Sequence, residues 1–351
     1  MAKIILDCER MKYPHTGLYQ FCLQLGKSLP KHIDPAKEKI FYYLPASAGK
    51  IFGEDANYIS QKSFHKIKLP SLNDFDIWHA TNQGSAYTPT NRKVKKVLTV
   101  HDLNFLYENS ERPQKIKRSL QKIQKQIDVA GKICAISEYV KSDIKKHFPL
   151  HEKNVEVIYN GCDIDRTENL STPKFLPQRS FIFTIGTIMA KKNFHVLPAL
   201  LCNNDMQLII AGVTIQKDYE MKIKEEARKL RVQDRLVFTG SISENDKKWY
   251  LKNCEAFVFP SIAEGFGLPV IEAMAFGKPV FLSTATSLPE IGGDVAYYFQ
   301  SFDADDMRHT FEKGMEHYYQ HQPQNAIMQR AHQFSWDKAA EKYVNIYRQS
   351  Y

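Results

Sequence analysis

Glu264 and Glu272 stand eight residues apart and enclose Gly265-Phe-Gly-Leu-Pro-Val-Ile271. The run before them, Phe257-Val-Phe-Pro-Ser261, has the apolar character of a buried strand. Glycines at 265 and 267 let the backbone approach a ligand closely and free the amides that open a helix, and Pro269 fits that helix's first turn. Glu272 falls among Val270, Ile271, Ala273 and Met274, where a carboxylate is costly unless a partner satisfies it. At 1.5 Å per helical residue the two carboxylates would lie roughly 12 Å apart, whereas a retaining glycosidase needs about 5–5.5 Å. A hydrolytic acid/base pair therefore fits poorly. A sugar nucleotide fits better, with one carboxylate for sugar hydroxyls, helix amides for a diphosphate and the other carboxylate for a ribose.

A second group supplies cations. Phe181-Ile-Phe-Thr-Ile-Gly186 reads as a strand, and Thr187 to Asn193 turns out of it carrying Lys191 and Lys192. Lysines at a strand's carboxyl end can meet a diphosphate and neutralise its charge as it departs, although an exposed lysine pair is usually just solvated. His101 follows Val97-Leu-Thr-Val100, again at a strand's carboxyl end, and Asp102 either orients the ring or caps a turn. Taken alone, such a histidine is more often structural than catalytic. From Arg112 to Ile127 no acidic residue occurs. On a helical wheel Lys115, Arg118, Lys122 and Lys125 share an arc of about 80°, nearly opposite an apolar arc of Ile116, Leu120, Ile123 and Ile127. The basic stripe is expected to face outward, toward anionic lipid heads or a charged acceptor, or simply toward solvent.

The elements that must hold these residues alternate short apolar runs with longer helical patterns, as parallel α/β sheets require. Strands are expected at Lys3–Leu6, Ile40–Leu44, Asp76–His79, Val94–Val100, Lys132–Ile136 and Val155–Tyr159. A second series follows at Phe181–Ile185, Gln207–Ala211, Leu236–Thr239, Ala256–Pro260, Pro279–Ser283 and Ala296–Phe299. Helices are expected at Leu18–Leu29, Pro113–Ala130 and Ser137–Phe148 in the first series. In the second they are expected at Phe194–Leu201, Ile215–Leu230, Glu244–Lys252, Leu268–Phe276 and Asp305–Tyr319. Between the series, Asn160-Gly161 is a turn signal, and the stretch to Arg179 has no apolar period. This divides the chain into an N-terminal domain over 1–165, a linker over 166–179, a C-terminal domain over 180–334 and a last amphipathic helix over 335–351, expected to pack back on the N-terminal domain. Ligands of doubly wound sheets bind beyond the carboxyl ends of the strands.

Composition narrows the rest. The 351 residues carry a net charge of +9, with 28 basic against 19 acidic residues in 1–175 and 20 against 20 thereafter, so the whole excess lies in the first half. That asymmetry points to an anionic partner for this half. No recognition-helix motif or interleaved aromatic platform speaks for nucleic acid. The place after the first strand reads Asp7-Cys-Glu-Arg-Met-Lys-Tyr-Pro14, without the glycines of a dinucleotide-binding turn. No apolar run approaches the ~20 residues that span a bilayer, and the apolar part of the N-terminus is too short for a signal peptide. Six scattered cysteines with no C-x-x-C pair favour small buried residues in a reducing compartment. Neither Asp163-Ile-Asp165 in the linker nor Asp303-Ala-Asp-Asp306 at a helix start lies at the inferred diphosphate site, so no metal is expected.

Taken together, these residues resemble the retaining glycosyltransferases of family 4, which have the GT-B fold: two Rossmann-like, doubly wound α/β domains facing each other across a cleft. The likeness runs through the E-x7-E pattern at Glu264 and Glu272, the turn from Gly186 to Asn193, His101-Asp102, Ile136-Ser-Glu-Tyr139 and Val157-Ile-Tyr-Asn-Gly161. Asp7, Thr16-Gly17-Leu18, Leu25 and Leu29 look like the mannosyltransferase branch that builds bacterial surface polysaccharides. The resemblance implies catalytic roles for His101, Glu264 and Lys192. It implies a donor site of Gly17, Gly186, Lys191, Lys192, Glu264, Gly265, Phe266, Gly267, Leu268 and Glu272, with lysines on the diphosphate, Glu264 on the donor sugar, Glu272 on the ribose and His101 on the sugar from the other domain. Thr187 stands where many relatives have Arg, and Lys191 can supply that charge. The implied donor is GDP-mannose, with a UDP-hexose as the alternative. The implied acceptor is a glycan or lipid-linked glycan of lipopolysaccharide type. No cofactor or metal is implied, and the expected location is cytoplasmic, peripheral on the inner face of the membrane. A catalytically silent sugar-binding relative would share the fold.

Overall fold

The computed structural model describes residues 1–351 apart from 15, 92, 109–110, 163 and 165–168. Both aspartates of Asp163-Ile-Asp165, and residues 166–168 of the expected linker, lie outside the described residues. The chain forms two compact units, one of Met1–Gly161 with Ser335–Tyr351, the other of Cys162–Phe334.

The first unit is built on a parallel sheet of β1 (Ala2–Asp7), β2 (Glu38–Pro45), β3 (Asn57–Gln61), β4 (Ile77–Ala80), β5 (Lys95–Val100), β6 (Lys132–Ala135) and β7 (Val155–Val157). The spatial order is 3-2-1-4-5-6-7. Strand order therefore reverses between β1 and β4, which pair with Ile5 opposite Trp78. Its helices are α1 (Gly17–Ser28), α2 (Phe105–Glu108), α3 (Pro113–Val129) and α4 (Glu138–His147). Ser137 caps α4 by accepting the Val140 amide at 3.1 Å, the role its residue type predicts. On α3, Ile123 and Ile127 are buried while Lys115, Arg118, Lys122 and Lys125 are exposed.

The second unit repeats the plan with β8 (Phe181–Ile185), β9 (Gln207–Ala211), β10 (Leu236–Gly240), β11 (Ala256–Phe259), β12 (Val280–Ser283) and β13 (Tyr297–Phe299), all parallel in the order 10-9-8-11-12-13. Here the order reverses between β8 and β11. The helices are α5 (Lys217–Lys229), α6 (Glu244–Asn253), α7 (Leu268–Ala275), α8 (Leu288–Gly292), α9 (Ala304–His321) and α10 (Gln324–His332). A last helix, α11 (Trp336–Arg348), belongs to the first unit. Its Tyr347 hydroxyl meets His79 Nδ1 at 2.7 Å, and its Arg348 pairs with the buried Glu38 at 2.6 Å.

Several elements depart from the pattern reading, among them the short helices α2 and α8, whose four and five residues are too few to show an apolar period. The edge strand β3, Asn-Tyr-Ile-Ser-Gln, lacks the continuous apolar run that marks a buried parallel strand. Phe194–Leu201 is a 3-10 helix rather than an α-helix, with Pro198 inside it removing a backbone donor. Helix α10 was not anticipated, because only Ile327 and Ala331 of its nine residues are buried and the apolar period is faint.

Candidate active site

Of the residues singled out in the second unit, Gly186, Lys191, Lys192 and Glu264 come together at its switch point, where ligands of doubly wound sheets bind. Gly186, Lys191 and Lys192 leave the end of β8, and Ser261 and Glu264 leave the end of the neighbouring β11. Lys192 Nζ lies 2.5 Å from Glu264 Oε1, and the Ser261 hydroxyl donates to the same oxygen at 2.6 Å. The ammonium also sits 4.8 Å from the centroid of the Phe259 ring, a further stabilisation of a partly desolvated cation. Gly186 makes room for it, since a Cβ there would come within 3.2 Å of Lys192 Cε. Lys191 joins through its backbone. Its carbonyl accepts from the Ile262 amide at 2.9 Å and the Ser261 hydroxyl at 3.2 Å, tying the two strand-end loops together.

The glycine-rich loop is held from the other side. Thr286 Oγ1 accepts the Glu264 amide at 3.0 Å, and the Ser287 hydroxyl donates to the Glu264 and Phe266 carbonyls at 3.1 and 2.9 Å. Phe266 is buried, edge-on to Phe334. Gly267 caps α7 with φ at +115°, a conformation that strains any residue with a Cβ. Leu268 and Pro269 then start the helix. Glu272 does have the partner its apolar neighbourhood demanded: Lys247 of α6 at 2.7 Å, which also pairs with Glu244 at 2.9 Å. Burial pushes the Glu272 carboxyl up, against the pull of Lys247. Burial alone would lower the Lys247 ammonium, but Glu272 and Glu244 outweigh it and hold it above its ordinary value. Lys247, Ser261, Thr286 and Ser287 escaped the reading of motifs. Lys247 sits in an ordinary charged run, and the serines and threonine resemble any turn residues.

In the first unit, His101 leaves the end of β5 and is 7% exposed. Its Nε2 lies 2.7 Å from the Thr81 carbonyl. A carbonyl only accepts, so the proton is on Nε2 and the neutral ring offers Nδ1 as an acceptor. Burial lowers the ring's pKa to about 4, the Thr81 carbonyl opposing and the Arg10 charge reinforcing the shift. Gln83 fixes the backbone, accepting the His101 amide at 3.0 Å and donating to the Asp102 carbonyl at 2.8 Å. Asp102 Oδ1 accepts the Asn104 amide at 3.0 Å, which caps the turn. Phe21 meets His101 edge-on, with centroids 4.6 Å apart. Gly17 is one helical turn before Phe21 on α1, on the same face. A Cβ at Gly17 would touch nothing, so packing does not demand glycine there. Thr16 caps the helix by accepting the Tyr19 amide at 3.2 Å.

Beneath this group Asp7 is fully buried at the end of β1, where it accepts the Ser85 hydroxyl at 2.6 Å. Burial, and next the charge of Glu9, pushes its carboxyl up to about 8. Glu9 is itself buried and pairs with Arg10 at 3.2 Å.

These features define a protein of two doubly wound α/β units with a paired cation and carboxylate at the switch point of the second. Residues 42–166 match the domain family Glycosyltransferase Family 4, and residues 165–333 match Glycosyl transferases group 1. The chain is a glycosyltransferase of the GT-B fold carrying these two domains in that order. It is 24% identical to the O-antigen chain mannosyltransferase B of Escherichia coli, with 99% of each chain covered. It is 28% identical to the O-antigen chain mannosyltransferase RfbU of Salmonella typhimurium over 59% of this chain and 57% of that one. Among solved structures, sucrose-phosphate synthase from Thermosynechococcus elongatus superposes with a TM-score of 0.74 at 16% identity, covering 99% of both chains. At that identity the superposition speaks for the fold alone.

Proposed function

We propose that this glycosyltransferase is a retaining, metal-independent hexosyltransferase that moves mannose from GDP-mannose to a glycan or lipid-linked acceptor in cell-surface polysaccharide synthesis. The observation that carries the reading is the Lys192–Glu264 pair at the switch point of the second unit. In this reading Lys192, with Lys191, binds the diphosphate and stabilises it as it leaves, which gives the work usually done by a divalent ion to ammonium groups and helix amides. Glu264 accepts from hydroxyls of the donor sugar, Glu272 from the ribose, and His101 Nδ1 from a sugar hydroxyl. Gly17 borders the diphosphate and the acceptor. The bond from the sugar's anomeric carbon to the phosphate oxygen breaks, and the acceptor oxygen bonds to that carbon on the same face. The acceptor's proton passes to the departing phosphate. Mannose is favoured because both mannosyltransferase relatives carry that sugar in their names.

No helix among the described residues is long and apolar enough to cross a membrane. The exposed cations of α3 support a peripheral location on the inner face of the membrane. Thermal-shift measurements with GDP, UDP, ADP and their sugars test the donor. Selective stabilisation by GDP and GDP-mannose is expected, stabilisation by UDP alone would move the assignment to a UDP-hexose, and no response to any of them would remove the nucleotide-sugar reading. Release of the β anomer from an α-linked donor would overturn retention.

A further inference from the structure

Outside the site, the most unusual surface feature is the turn that follows the edge strand β3. Its sequence is Lys62-Ser-Phe-His-Lys-Ile-Lys68, and Ser63–Lys66 forms one turn of 3-10 helix. Residues three apart eclipse in that geometry, so Phe64 and Ile67 share a face and His65 takes another. His65 is the anchor. It is buried, and its Nδ1 accepts from the Lys62 amide at 3.3 Å and from the Tyr43 hydroxyl at 3.0 Å. Pinning the turn this way leaves Phe64 58% and Ile67 94% exposed. Lys62, Lys66 and Lys68 are exposed around them, and no acidic residue occurs from 56 to 73.

A single exposed apolar side chain is unremarkable. Two on one face of an anchored turn, with three exposed lysines in the same seven-residue run, match the composition of an interfacial membrane anchor. Position agrees with this. Gln61, at the start of the turn, donates to the Tyr87 hydroxyl, and the next residue, Thr88, is hydrogen bonded to Gln126 of α3 at 2.6 Å. The turn and the basic helix therefore flank one loop. A cationic stripe alone binds weakly and is screened by salt, whereas inserted apolar side chains add a part that salt does not screen.

We infer that Phe64 and Ile67 insert into the interfacial layer of an anionic bilayer while Lys62, Lys66 and Lys68 contact its headgroups. This rests on the peripheral-membrane reading and supplies the apolar component that α3 lacks. The full chain is sedimented with phosphatidylcholine vesicles, with and without phosphatidylglycerol, at low and high salt. The wild type is expected on the anionic vesicles. F64S/I67S is expected to lower partitioning by about tenfold or more at both salt concentrations, with its melting temperature and nucleotide-induced thermal shift unchanged. Replacing the three lysines with glutamine lessens the salt-dependent part, the remainder of which α3 supplies, and Ile67→Trp gives a blue-shifted emission on vesicles. If F64S/I67S partitions like the wild type, the turn is not the anchor, although the membrane reading stands. If the wild type binds no vesicle, both fall. If the wild type is instead a dimer that F64S/I67S dissociates, the face belongs to a second copy and the inference is overturned.

Discussion

Lys192 stands between three surfaces: the Glu264 carboxylate, the Phe259 ring and the space left by Gly186. In the proposed reading the pair holds the ammonium for a departing diphosphate, and in the structure it ties Lys192 to Glu264 at 2.5 Å. Lys192→Ala and Glu264→Gln are each expected to lower kcat/KM by roughly 10²–10³-fold. The double variant should be little worse than the poorer single one, because the two act as a unit. Near-native turnover by Glu264→Gln would show the pair to be structural only. Asp7 gives a different test. Its folded pKa of about 8 lies above the unfolded value of 3.8, so between those limits the folded state holds a proton that the unfolded state has lost. Its contribution is thus fully present below about pH 4 and lost as pH rises through about 8. Asp7→Asn mimics the protonated form. Melting curves from pH 5 to 8.5 should show a fall in the wild type that the variant lacks, and parallel curves would refute the burial argument.

Among the elements, the α6–α7 pair is where a stabilising contact and a proposed binding contact coincide. Glu272 projects from an otherwise apolar helix and survives there because Lys247 of α6 reaches it. Lys247→Met leaves that carboxylate largely buried without its cation, at a cost of about 2–4 kcal/mol near neutral pH. Because Glu272 then folds more readily in its protonated form, the loss should shrink as pH falls. Urea denaturation at pH 7.5 and pH 5 measures both, and an equal loss at the two would reject the assignment. The sequence disclosed α7 and its glycine start, because an apolar run after a strand and two glycines admits few other shapes. It disclosed that Glu272 needed a partner but not which one. Lys247 lies 25 residues away in a run of charges, and only the packing of α6 on α7 distinguishes it from Lys248 or Lys252. The edge strand β3 was hidden for the converse reason: at the rim of a sheet, burial no longer imposes an apolar run.

For the whole molecule, the chain passes between the two units at Gly161–Cys162 and again at Phe334–Ser335. The Cys162 amide donates to the Phe334 carbonyl at 3.1 Å. A Cβ at Gly161 would fall 2.0 Å from the Trp336 amide nitrogen, closer than any relaxation of a side chain can cure. Gly161→Ala should therefore displace the start of α11 and destabilise the first unit by about 2–3 kcal/mol, read from the urea midpoint and from Trp336 fluorescence. An unchanged midpoint would mean the crossing can shift without cost. Residue types and spacing disclosed the two parallel sheets and the loops that carry Glu264, Lys192 and His101, because continuous apolar strands, glycine turns and strand-end charges are local signals, while the glycosyltransferase class came from the resemblance of those motifs to a known family. Only the tertiary structure decided that Lys192 meets Glu264, that Lys247 meets Glu272, and that His101 is a neutral ring with its proton held by Thr81. Those pairings join residues on separate strands or helices, and a carboxylate, an ammonium or an imidazole acquires its chemistry from what folding brings within about 3 Å of it.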